Sequence, residues 1–221
     1  MTDFECGPIN FTTDEGLRVL RDVHLEFRSP ALIVINGPSG CGKSTLLRAI
    51  TGLNRAEVAL RRLGGERFHE KTLPAWRARV TLLLQDAPCL EGTILENLIF
   101  PFRFKTGAGK KFSETGILEA LEKVSLSHIP LDADAHRLSG GERHRLGIVR
   151  GLLWAPEVLI ADEPLSGLEP ELADRCFQLL KDYSVTRDAV VICVLHEERF
   201  ARKADHWLRL ENGTLHRINT L

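Results

Sequence analysis

Nine consecutive residues, Gly37-Pro38-Ser39-Gly40-Cys41-Gly42-Lys43-Ser44-Thr45, carry the clearest chemistry in this chain and fit G-x-x-x-x-G-K-[ST]. Glycines at these places let the backbone curl until successive N–H groups point inward. A helix start adds partial positive charge. Such a cradle takes phosphate. Lys43 would reach the β- and γ-phosphates of a nucleotide, and the Ser44 hydroxyl would ligate Mg²⁺. Cys41 inside the loop is either a redox-sensitive thiol near helix amides or a small space-filling residue.

Four further groups sit where apolar runs end. Asp162 closes Val158-Leu159-Ile160-Ala161 and would hold the Mg²⁺ shell; an N-cap carboxylate is the alternative. Its neighbour Glu163 has no need to bind metal, and would orient and deprotonate a water for in-line attack on a γ-phosphate. Gln85 follows the strand Val80 to Leu84 and would reach that water or the Mg²⁺. His196 follows Ala189 to Leu195 and would hydrogen-bond the γ-phosphate or the water; a structural histidine is the alternative. Ligands of parallel α/β sheets lie at the C-terminal ends of strands, which favours the functional readings.

The elements that must position these groups follow from periodicity. Leu32-Ile33-Val34-Ile35 is a buried strand feeding the phosphate loop, and Leu46, Leu47, Ala49 and Ile50 follow at helical spacing. Residues 4–35 are strands and turns, with Asp14-Glu15-Gly16 as a hairpin tip. Val23, Leu25 and Phe27 alternate with His24, Glu26 and Arg28, the period of a half-buried strand. Phe11 would stack on an adenine ring or pack in the core. Arg61-Arg62-Leu63-Gly64-Gly65-Glu66 turns between short strands. Residues 86–137 form an insertion in which Phe100, Phe102, Phe104 and Phe112 make a small core or a docking surface. Ile117, Leu118, Leu121 and Val124 mark a short amphipathic helix. Leu138-Ser139-Gly140-Gly141-Glu142 opens a helix to about Trp154, with Gly147 and Gly151 on one face for close approach. Another helix runs from about Glu169 to Tyr183. The fold class is α/β.

Composition bounds the rest. With 221 residues, 43% hydrophobic and 27% charged, the chain is long enough for one sizeable core and fits a soluble globular class. A formal net charge of −1 gives no general pull toward nucleic acid. The longest apolar run has seven residues, Ala189 to Leu195, too short to span a bilayer. The N-terminus lacks the basic and apolar regions of a signal peptide. Five scattered cysteines without a C-x-x-C pair suit a reducing, cytoplasmic compartment.

Taken in order, Gly37–Thr45, Gln85, Leu138–Glu142, Asp162–Glu163 and His196 resemble the ATP-binding-cassette (ABC) ATPases over nearly the whole chain. Leu138–Glu142 matches that family's signature motif. The resemblance implies a P-loop NTPase with a RecA-like core and an N-terminal antiparallel β-subdomain (1–85 and 155–221). A helical subdomain would be inserted at about 86–154. It implies ATP and Mg²⁺ as cofactors and head-to-tail pairing with a second copy. Each copy's Ser139, Gly140, Gly141 and Glu142 would then cap ATP held by the other's loop. It further implies an integral membrane permease as partner, contacted by Leu90, Thr93, Ile94, Asn97 and the phenylalanine cluster. Nucleic acid is not an expected partner. The chain would lie on the cytoplasmic face of the cell membrane, driving transport. The run Gly92 to Phe102 is similar to bacterial iron-export cassettes, which points to a metal ion such as iron as cargo. Departures from the family are Arg143-His144-Arg145 for its usual Arg-Gln-Arg, Glu169 for aspartate, and Ser29-Pro30-Ala31 for Gly-Glu.

Overall fold

A computed structural model describes residues 2–85, 88–107 and 112–218. The first two strands, β1 (Asp3–Thr12) and β2 (Arg18–Arg28), pair antiparallel around the Asp14-Glu15-Gly16 tip. Val23 and Leu25 are buried while His24 and Glu26 are exposed, as the period of two demands. β3 (Ala31–Asn36) is buried at every position and runs into α1 (Lys43–Thr51). Three short strands follow: β4 (Glu57–Val58), β5 (Arg61–Leu63) and β6 (Glu66–Phe68). Gly64 and Gly65, both at positive φ, make the β5–β6 turn. These strands complete a sheet of order β2-β1-β5-β6, with β4 on β1.

α2 (Leu73–Arg79) leads directly into β7 (Val80–Leu83). Among the described residues, the elements before the next strand are helical: α3 (Ile94–Ile99), 3₁₀ turns at Phe100–Arg103 and Lys105–Gly107, α4 (Glu114–Lys123), a 3₁₀ turn at Ala135–Arg137 and α5 (Gly140–Trp154). β8 (Val158–Asp162), α6 (Pro170–Thr186), β9 (Val190–Val194), α7 (Glu198–Ala201), β10 (His206–Glu211) and β11 (Thr214–Arg217) complete the chain. α6 runs one turn beyond the expected Tyr183. The Ser184 and Thr186 hydroxyls donate back to the carbonyls of Lys181 and Asp182, at 2.7 and 2.8 Å, the back-bonding that such residues make inside a helix.

The second sheet has the order β11-β10-β3-β9-β8-β7 and is parallel except at β10–β11. Its strands β3, β8 and β9 are buried on both faces, so successive residues enter different cores. Leu32, Val34, Leu159, Ala161, Val191 and Cys193 face one core with residues of α3 to α6. Ile33, Ile35, Val158, Ile160, Val190 and Ile192 face the other, with α1 and the antiparallel sheet. Each fully buried Ile, Leu or Val contributes about 1.5–3 kcal/mol over an exposed one. The register does the positioning: Ile35 and Asp162 both pair with Val194, and Leu83 pairs with Ala161. The phosphate loop, Asp162, His196 and Gln85 therefore leave the same edge of the sheet.

Candidate nucleotide site

The phosphate loop is built from backbone that only glycine adopts easily. Gly37, Gly40 and Gly42 have φ of 155°, 74° and 102°. A Cβ at Gly42 would lie 2.6 Å from Val19 Cγ1 of β2, and one at Gly37 would meet the Leu210 carbonyl of β10. At Gly40 no atom beyond its chain neighbours lies within 4 Å of that point, so the crest of the loop is open. Pro38, Ser39 and Gly40 are exposed, Cys41, Ser44 and Thr45 half-buried, and Lys43 buried. Lys43 Nζ donates to the Gly37 and Pro38 carbonyls at 3.0 and 2.8 Å, folding the ammonium across the loop. The α1 N-cap is Gly42, which offers no side-chain acceptor, so the amides of the helix start are left for an anion.

At the other end of α1, side chains grip the last carbonyls. Trp76 Nε1 donates to Ile50 O at 2.8 Å and Arg61 to Ala49 O at 3.0 Å. Arg61 is buried, and that burial lowers its pKa. A cation at a helix C-terminus offsets the macrodipole.

Gln85 and His196, expected as separate contributors, both meet Glu163. Glu163 Oε1 lies 2.7 Å from His196 Nε2, and Oε2 accepts from Gln85 Nε2 at 3.1 Å. Both carboxylate oxygens are thus held, one from the end of β7 and one from the end of β9. Glu163 itself sits at φ 49°, in the left-handed region that a non-glycine residue seldom occupies. Asp162, one residue earlier, is buried at the strand end. Among the described residues no cluster of three or more His, Cys, Asp or Glu could hold a metal alone. A hydroxyl from Ser44 and a carboxylate from Asp162 are hard oxygen donors. They fit Mg²⁺, which takes one or two protein carboxylates together with nucleotide phosphates.

Ser139 is the N-cap of α5, and it forms a capping box with Glu142. Glu142 Oε2 accepts from the Ser139 amide at 2.8 Å and from its hydroxyl at 2.7 Å. The hydroxyl bond, then the amide, holds the Glu142 carboxyl below the usual range. Gly140 and Gly141 are exposed in the first turn, so the helix start presents its amides to solvent. The S-x-x-E spacing that signals this box was open to sequence reading. Further along α5, a Cβ at Gly151 would run into the Leu83 side chain of β7, which explains the glycine.

Phe11 pairs with Leu20, whose Cδ2 would be 3.6 Å from a Cβ at Gly42. It is half-buried against the core of the antiparallel sheet, beside the loop. The phenylalanines divide. Phe102 packs on Trp154 at 5.6 Å and Phe112 at 5.3 Å, while Phe100 meets Phe104 edge-on at 5.1 Å. Phe104 and Phe112 stay exposed. Ile94 and Asn97 do not belong to a docking face, because both are buried. Asn97 instead pins the preceding loop, accepting from Leu90 N at 2.8 Å and donating to Leu90 O and Thr93 O at 3.0 Å each. A groove of about 310 Å³ does open between β7 and α5, with Leu84, Pro88, Pro101, Arg77, Arg150 and Trp154 in its walls. His144 Nε2 lies 2.9 Å from the Pro164 carbonyl, a contact with no sequence signal.

Comparison with known proteins identifies the family. The ABC transporter family profile matches residues 20–166. The lipoprotein-releasing system ATP-binding protein LolD of Francisella tularensis subsp. tularensis (strain FSC 198) is 33% identical over 211 residues, covering 93% of this chain and 90% of that protein. LolD of Treponema pallidum (strain Nichols) is 33% identical over 224 residues, with 92% of each chain covered. The phosphonates import ATP-binding protein PhnC of Hyphomonas neptunium is 32% identical over 207 residues, covering 90% of this chain and 79% of that protein.

Proposed function

The chain belongs to the ABC transporter family and is an ATP-binding ATPase subunit, and from that premise we propose how it works. Two copies pair head to tail around two ATP molecules, and the closed pair drives a separate membrane permease from the cytoplasmic face. The observation that supports the hydrolytic step of this reading is the Glu163 carboxylate held between Gln85 and His196. A base with both oxygens fixed is oriented before substrate arrives.

Each residue then has a role. Amides of Gly37 to Thr45 cradle the phosphates, and Lys43 swings from the loop carbonyls to the β- and γ-phosphates. Ser44, Asp162 and Gln85 would hold Mg²⁺, whose contribution is to offset charge on the phosphate oxygens. Glu163 takes the proton of the attacking water. His196 binds the γ-phosphate. Phe11 stacks on adenine. Ser139, Gly140, Gly141 and Glu142 of the second copy close the site with helix-start amides. The helical segment of about 86–154 is the arm that carries this motif, and the groove between β7 and α5 receives the permease.

Cargo choice belongs to the permease. Relatives named for lipoprotein release and for phosphonate import stand at 33% and 32% identity, so overall identity singles out no cargo. An iron cargo rests on the Gly92 to Phe102 run alone and finds no support in these relatives. No helix among the described residues is long and apolar enough to cross a membrane, and on this reading a docked permease supplies the span. Purification of the native chain from a detergent extract tests this reading. A membrane protein recovered together with MgATP hydrolysis is the expected result. Ribosomes or DNA recovered without any membrane protein would overturn it in favour of a soluble cassette.

A further inference from the structure

We propose that His144 is a positioning residue for the reaction: by holding the Pro164 carbonyl, it fixes the turn that aims Glu163. The proposal rests on the reading of Glu163 as the base. Glu163 stands at φ 49°, a conformation that persists in a non-glycine residue only when its surroundings over-determine it. Within the loop, Ser166 N donates to Glu163 O at 3.1 Å. From outside, Gln85 and His196 hold the carboxylate, and His144 reaches the next residue's carbonyl at 2.9 Å. Proline has no N–H, so the carbonyl is the one backbone hydrogen-bonding group through which Pro164 can be gripped.

The grip comes from an informative place. His144 lies on α5, just beyond the Ser139–Glu142 cap. A single contact therefore joins the helix that would close a second copy's site to the base of its own copy. The bond needs an N–H on Nε2, and either the neutral tautomer or the imidazolium supplies one. Glutamine, usual at this position in the family the chain resembles, offers an amide N–H. Leucine fills similar space with no donor and leaves the carbonyl unpaired.

Steady-state MgATP hydrolysis of the wild type, His144→Leu, His144→Gln and Glu163→Gln, with fluorescent-ATP binding alongside, tests the proposal. Loss of one hydrogen bond sets the scale: His144→Leu should lower kcat by about three- to tenfold with KM within about twofold. His144→Gln should stay within about twofold of wild type. Equal kcat for wild type and leucine variant overturns the proposal. So does a glutamine variant that falls as far as leucine, or a raised KM at unchanged kcat. If the leucine variant fails to fold, His144→Glu against His144→Gln makes the same comparison at matched shape, with the glutamate variant expected slow. Glu163→Gln separates the premise from the proposal. An active Glu163→Gln removes Glu163 as the base, whereas an inactive one with His144→Leu at the wild-type rate removes only His144.

Discussion

Replacing Glu163 with glutamine separates chemistry from binding, and its size can be worked from the contacts. The carboxylate accepts from His196 at 2.7 Å and from Gln85 at 3.1 Å. An amide keeps one acceptor and gains a donor. Facing Gln85, that donor would meet another, so the amide oxygen turns to Gln85 and the NH₂ to His196, whose Nε2 then accepts. Both contacts survive without charge assistance, which roughly halves their strength. At a half-exposed site the fold should change by less than about 1 kcal/mol. The proton acceptor is lost outright. A general base contributes about 10²–10⁴-fold, or about 3–5 kcal/mol of barrier. Phosphate release at saturating MgATP should therefore fall at least about 100-fold, while nucleotide affinity holds or tightens because one negative charge has left the site. Turnover within about tenfold of wild type by a folded variant would refute the assignment.

Two further predictions concern the signature helix and the thiols. Glu142→Ala removes half of the α5 capping box and should cost about 0.5 kcal/mol at neutral pH, a partly exposed cap. Because the folded pKa of Glu142 lies below the ordinary glutamate value of 4.5, its contribution is complete above that value and disappears as pH falls through the folded one. The gap in denaturation midpoint between wild type and variant should close on acidification, and a constant gap would contradict the cap. Burial pushes the thiols of Cys6 and Cys193 up to about 12 and that of Cys176 up to about 11. Iodoacetamide at pH 8 should leave these three unmodified in the native protein while Cys41 reacts, more slowly with ATP present. Modification of Cys41 at an unchanged rate with ATP would place it outside the nucleotide contact.

The sequence disclosed this site unevenly, for physical reasons. The phosphate loop was legible because its glycines answer to backbone geometry that no other residue replaces. Ile33, Ile160 and Ile192 announced buried strands, since only a sheet covered on both faces tolerates such runs. That Gln85 and His196 both hold Glu163 depends on β7, β8 and β9 lying side by side, an order that no local pattern encodes. Asn97 read as a surface residue because polar side chains usually are. Its three bonds to Leu90 and Thr93 compensate its burial. Neither the left-handed turn at Glu163 nor the His144 contact has a signal in composition or spacing, because each is imposed by packing between distant segments.

Head-to-tail pairing of two copies around ATP is tested most directly by the sedimentation mass of the Glu163→Gln protein. With MgATP it should sediment at twice the 24.7 kDa of one chain, and adding Ser139→Arg should return it to the monomer mass. A monomer at saturating MgATP, or a dimer that Ser139→Arg leaves intact, would contradict the shared site.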